Sequence, residues 1–120
     1  ENLLHGRIDL ADTIRRLEAY AEAGADVLYA PGLKTPEDIA AVVKAVAPRP
    51  VNVVMGLAGA ALSFDELQHL GVKRISVGSS LASADYRAFL RAAHEIRADG
   101  TFTYAEAAVP FGEINAMFRG

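Results

Sequence analysis

The stretch Ala23-Gly24-Ala25-Asp26-Val27-Leu28-Tyr29-Ala30-Pro31-Gly32-Leu33 decides how this chain is read. A helical pattern runs into Gly24, a residue that can take the left-handed backbone which stops a helix. Asp26 then precedes a short apolar run over 27–30. The run has no polar alternation, which predicts a strand buried on both faces. Pro31-Gly32 breaks it. Two later stretches repeat the pattern, Pro50-Val51-Asn52-Val53-Val54-Met55-Gly56 and Gly71-Val72-Lys73-Arg74-Ile75-Ser76-Val77-Gly78. The runs begin at Val27, Val51 and Arg74, a pitch of about 23 to 24 residues that suits one strand, one helix and two short loops.

Helices fill the intervals. Residues 1–8 read as a loop. Asp9 is placed to cap a helix in which Leu10, Ile14, Leu17 and Ala21 recur at helical spacing. Thr35-Pro36-Glu37-Asp38 opens a second helix, with a cap, a proline at the first position and acids in the first turn. Ser63-Phe64-Asp65-Glu66 is a capping box for a short third helix that stops at Gly71. A fourth helix is predicted over 81–98. Thr103-Tyr104-Ala105-Glu106 is expected to cap a further short helix, and 112–118 reads as a last helical piece. The three strands are expected at 27–30, 51–55 and 74–77.

The alternation implies a parallel sheet with helices packed outside it. Three nearly apolar strands fall short of the roughly five of a doubly wound domain and the eight of a (β/α)8 barrel. The chain also opens on a helix with no strand before it. The expectation is therefore an α/β fold that is the C-terminal part of a (β/α)8 TIM-type barrel, strands six to eight, with 1–120 as a single partial domain.

Composition narrows the function classes. Of 120 residues, 52% are hydrophobic, enough for a packed core, and no run is long and apolar enough for a membrane span. There is no cysteine, which excludes disulfides, thiolate metal sites and a cysteine nucleophile and fits a cytoplasmic protein. The net charge is −3, and the pairs Arg15-Arg16 and Lys73-Arg74 are isolated, read as solvated positions rather than a nucleic-acid face.

The sequence resembles the isocitrate lyase/phosphoenolpyruvate mutase family. The resemblance is carried by Asp9-Leu10-Ala11-Asp12-Thr13-Ile14, the 19–33 stretch, Pro50-Val51-Asn52-Val53, and Leu70-Gly71-Val72-Lys73-Arg74-Ile75-Ser76-Val77-Gly78-Ser79. It implies a barrel enzyme that makes or breaks C–C or P–C bonds beside a carboxylate, on small 2-oxo or hydroxy acids or phosphonates. It also implies Mg²⁺ holding an enolate-like intermediate, and homo-oligomers with exchanged C-terminal helices. The metal-holding carboxylates of the family sit on earlier strands, so this chain is expected to carry no metal ligand and to be inactive alone. By the same resemblance, Glu1 trails an Ala-Arg-Thr strand end and belongs to the substrate side. Ala30-Pro31-Gly32 lacks the Glu that methylisocitrate lyases carry after the corresponding Pro, which points to phosphonomutase-like members.

Barrel chemistry sits at the C-terminal ends of strands. Here those ends offer no Asp, Glu or His, and no catalytic residue is assigned. Gly78-Ser79 before a helix is the anion candidate, because glycine admits close approach and free N–H groups attract a carboxylate or phosphate. The alternative there is an ordinary Ser-capped helix. Asn52, inside a strand, points into the barrel or at the helices, and either faces the active-site cavity or makes a structural hydrogen bond. His5 and Arg7 lie in the loop after the presumed fifth strand, where they either meet an anionic substrate or stand in solvent. His69 and His94 read as surface residues on helices. The small-residue loop 56–61 either moves over a substrate or merely connects. The substrate-binding set is thus Glu1, Asn52, Gly78 and Ser79. Two other readings stay open: a non-catalytic half-barrel that self-associates, and an unrelated phosphate-binding barrel.

Overall fold

A computed structural model of the chain describes residues 2–56 and 62–119. The expectations for Glu1 and for most of the small-residue loop lie outside the described residues. The chain forms two compact units, Glu1–Leu81 and Ala82–Gly120.

The first unit runs α1 (Leu10–Glu22), β1 (Leu28–Tyr29), α2 (Pro36–Ala45), β2 (Val51–Val54), α3 (Phe64–His69) and β3 (Arg74–Ser76). The strands form one parallel sheet in the order β1-β2-β3. Local chemistry places each helix. Asp9 has extended backbone and its side chain accepts from the Asp12 N–H. Thr35 accepts from the Asp38 N–H, and Pro36 opens α2. Ser63 and Glu66 complete a reciprocal capping box on α3. Gly24, at φ 97°, turns the chain out of α1 and toward the sheet. That backbone is strained for any residue with a Cβ.

Leu28, Val51 and Val53 project from one face of the sheet into a cluster with Leu17 of α1, Ile39 and Val42 of α2 and Leu67 of α3. Val54 is buried too but lies outside that cluster, on the opposite face. This is the period-two alternation of a strand.

The structure corrects four expectations. The first strand spans two residues rather than four. It is not buried on both faces, since Val27 and Tyr29 are each 43% exposed. The physical reason is that β1 is an edge strand whose neighbour is β2 alone, and helices cover only the Leu28 side. Residues 1–8 are not all loop, because Asn2–His5 form a 3-10 turn. Its Asn2 amide donates to Asp12, which also accepts from Arg15 and Arg16 at 2.9 and 2.8 Å.

The fourth correction lies in the second unit, which holds the α4 helix (Ser80–Asp99) from Ala82 on, a 3-10 turn at Thr103–Ala107 and α5 (Phe111–Met117). Thr103 does not cap the turn. The cap position is Phe102, with no side-chain bond. The acceptor is Glu95 on α4, whose carboxylate takes the Thr103 and Tyr104 N–H groups and the Thr101 and Thr103 hydroxyls. A carboxylate outcompetes a hydroxyl as acceptor for two adjacent amides. No described helix is long and apolar enough to cross a membrane.

These capping carboxylates set a pH dependence. At Glu66 the Ser63 backbone N–H and then the Ser63 hydroxyl hold the carboxyl below its ordinary value of 4.5. At Glu95 partial burial alone would raise it, but the hydrogen bonds from Thr101, Thr103 and Tyr104 outweigh that, and the net displacement is downward from 4.5. A folded-state value below the unfolded one stabilises the fold above the unfolded value, and that contribution disappears as pH falls through the folded value. Carboxyl-carbon NMR titration is expected to give midpoints for Glu66 and Glu95 below 4.5. Midpoints at or above 4.5 would contradict the caps.

Candidate functional site

The face of the sheet turned away from the helices carries a polar row. The register pairs Tyr29 with Asn52, Asn52 with Arg74 and Val54 with Ser76, so these five side chains share that face. Asn52 is only 2% exposed. Its Oδ1 accepts from Arg74 Nη1 at 2.9 Å, and its Nδ2 donates to Ser76 Oγ at 3.1 Å. No buried side-chain polar atom among the described residues lacks a partner. Asn52 thus faces away from the helices, which settles the alternative left by its place in a strand.

Arg74 adds to an expectation. It is exposed, as a solvated position should be, yet it is also the first residue of β3, and its guanidinium donates to a buried amide that the sequence reading did not foresee. Ser76 was not singled out by the sequence reading. The available signal was parity: Arg74 and Ser76 alternate around the apolar Ile75, which joins the helix-side core.

At the C-terminal ends of the strands the chain presents Ala30, Met55, Gly78 and Ser79. Gly78 takes φ 54°, and it and Ser79 stand exposed in the turn that enters α4 at Ser80. Gly56, just past β2, takes φ 81°, and a Cβ there would run into the Ser80 side chain, 2.8 Å from its Cβ. Gly56 therefore sits against Ser80 at the start of α4. His5 and Arg7 come together with Asn2, Arg16 and Tyr20 around a cleft of about 710 Å³. His69 and His94 are exposed on α3 and α4, and His69 Nδ1 is 2.7 Å from the Asp65 carbonyl.

Among the described residues no group of three His, Cys, Asp or Glu is gathered for a metal ion. Mg²⁺ is held through oxygen ligands, carboxylates above all. The side chains at these strand ends do not fit it.

Successive parallel strand–helix units, with helices on one face and a polar row on the other, define part of a (β/α)8-type barrel, the second face being the one a closed barrel turns inward. Residues 1–97 match the family model of phosphoenolpyruvate phosphomutase. The chain belongs to that family, within the phosphoenolpyruvate mutase/isocitrate lyase superfamily. It is similar to a crystal structure from Burkholderia cenocepacia J2315 provisionally assigned as a lyase/mutase, with 63% identity and a TM-score of 0.95 over 100% of this chain and 43% of that one. It is similar to oxaloacetate acetylhydrolase in complex with its product oxalate, at 25% identity and a TM-score of 0.71 over 84% of this chain and 34% of that one. An uncharacterized protein of Mycobacterium tuberculosis is 34% identical over 94% of this chain and 41% of its own length. The chain therefore spans less than half the length of each of these relatives. That accounts for the uncovered Tyr29 face, since the other strands of such a barrel are not in this chain.

Proposed function

We propose that this chain forms the C-terminal wall of the active site in a barrel lyase or phosphonomutase-like enzyme. Its substrates are small 2-oxo or hydroxy carboxylates or phosphonates, and it breaks or forms the C–C or P–C bond beside the carboxylate. The observation that carries the reading is the family match over 1–97 joined to a polar inner face ending at Ser76, Gly78 and Ser79. Oxalate bound to a relative of the same fold supports the substrate class. The substrate's anionic groups are met by backbone N–H groups at Gly78-Ser79, with Asn52 and Ser76 below them and Glu1 on the strand-five side. Mg²⁺ would supply positive charge beside the substrate's anionic groups, and its ligands would come from strands outside this chain. The working enzyme is a cytoplasmic homo-oligomer and takes no nucleic acid as partner. Residues 1–120 belong to one partial domain of the whole barrel.

The test is a panel of oxaloacetate, 2-methylmalate-type hydroxy acids and phosphonopyruvate offered to the full-length enzyme, with and without a chelator. Turnover of at least one of them, lost on chelation and inhibited by oxalate, is expected. Neither turnover nor oxalate binding would overturn the reading.

A further inference from the structure

We infer that Arg74 is a positioning residue that acts on the substrate through Asn52 and Ser76, an inference that rests on the proposed function. The observations are three. Asn52 is 2% exposed, so its amide has no water to fall back on. Arg74 Nη1 donates to Asn52 Oδ1 at 2.9 Å. Asn52 Nδ2 donates to Ser76 Oγ at 3.1 Å.

The chemistry of the donors fixes the direction of this chain. A guanidinium can only donate, so the amide oxygen must face Arg74 and the amide nitrogen must face Ser76. Ser76 Oγ is thereby engaged as an acceptor. Its own O–H proton is left to donate elsewhere. Arg74 begins β3 and Ser76 ends it. The chain therefore climbs from the N-terminal end of the strand toward the C-terminal end, where Gly78 and Ser79 follow. A row of donors that starts on a permanent cation is polarised along its length, each bond strengthening the next. The device holds the Ser76 hydroxyl as a committed donor for an anionic oxygen at the barrel mouth.

Without Arg74 the amide is free to rotate. Its oxygen then turns to Ser76, whose proton is drawn onto Asn52 and lost to the ligand. A clip that only joined β2 to β3 would have no such consequence, because it would not distinguish the two ends of the amide.

The experiment is a double-mutant cycle in the full-length enzyme, read as the dissociation constant of oxalate by calorimetry with magnesium chloride in the buffer. Arg74→Met and Ser76→Ala are each expected to weaken oxalate by about tenfold, and the double variant also by about tenfold rather than a hundredfold. Asn52→Asp keeps a partner for Arg74, and so serves if Arg74→Met fails to fold. It accepts the Ser76 proton, so it should weaken oxalate in the parent enzyme and have no further effect in the Ser76→Ala background. Additive losses in the cycle, or an Arg74→Met variant that binds like the parent, would overturn the inference while leaving the proposed function intact. A parent enzyme that binds no oxalate would overturn the proposed function, and this inference with it.

Discussion

Replacing Ile39 by alanine is expected to destabilise the full-length enzyme by about 3 kcal/mol, within the range for emptying a sealed aliphatic site. Ile39 has 0% exposure and sits on α2 in the cluster that also contains Leu28, Val51 and Val53. Its helix is pinned at the start: the Thr35 side chain caps it, and the Ile39 N–H itself bonds to the Thr35 carbonyl at 3.1 Å. The helix therefore cannot easily shift inward to fill the void, which places the cost above the lost transfer energy alone. Denaturant unfolding of the parent and the variant, with the slope held equal, measures it. A change under about 1 kcal/mol would mean that α2 is not seated on the sheet as described.

Gly56→Val is expected to cost about as much, near 3 kcal/mol, for a different reason. Gly56 stands at φ 81°, where a β-branched residue is disfavoured by the clash of its Cβ with the backbone. A Cβ would also press on Ser80, the first residue of α4. Relief requires moving the turn that holds Gly78 and Ser79, so loss of stability should come with weaker oxalate binding. Gly56→Ala, with less bulk but the same backbone strain, should show a smaller form of both. A valine variant with unchanged stability and unchanged oxalate affinity would show that the end of β2 and the start of α4 are not in contact.

Several elements were legible in the order of residues alone. The caps were, because Asp9, Thr35-Pro36 and Ser63–Glu66 act within one turn of chain, and the structure shows each in use. The turn at Gly24 was legible for the same reason. The three parallel strands followed from pitch and apolar runs, and the family followed from motifs spread along the chain. What failed were features set by distant neighbours. The 27–30 run looked doubly buried because apolarity does not say which face a partner will cover. Thr103 looked like a cap, but the acceptor came from Glu95, eight residues earlier on another helix. Arg74 is exposed as read, but its bond to Asn52 was not legible, because nothing near Arg74 in sequence announces a partner 22 residues away.

The sequence by itself determined the helix starts and stops, the strand–helix pitch and the family, because these depend on torsional preference, short-range capping and a repeated apolar pattern. Only the tertiary structure decided which face of each strand meets the helices, and therefore that Asn52, Arg74 and Ser76 lie on the other face in one connected row. That choice depends on the parallel register between strands, which pairs residues more than twenty positions apart and is settled by burying Leu28, Val51 and Val53 beneath α1, α2 and α3.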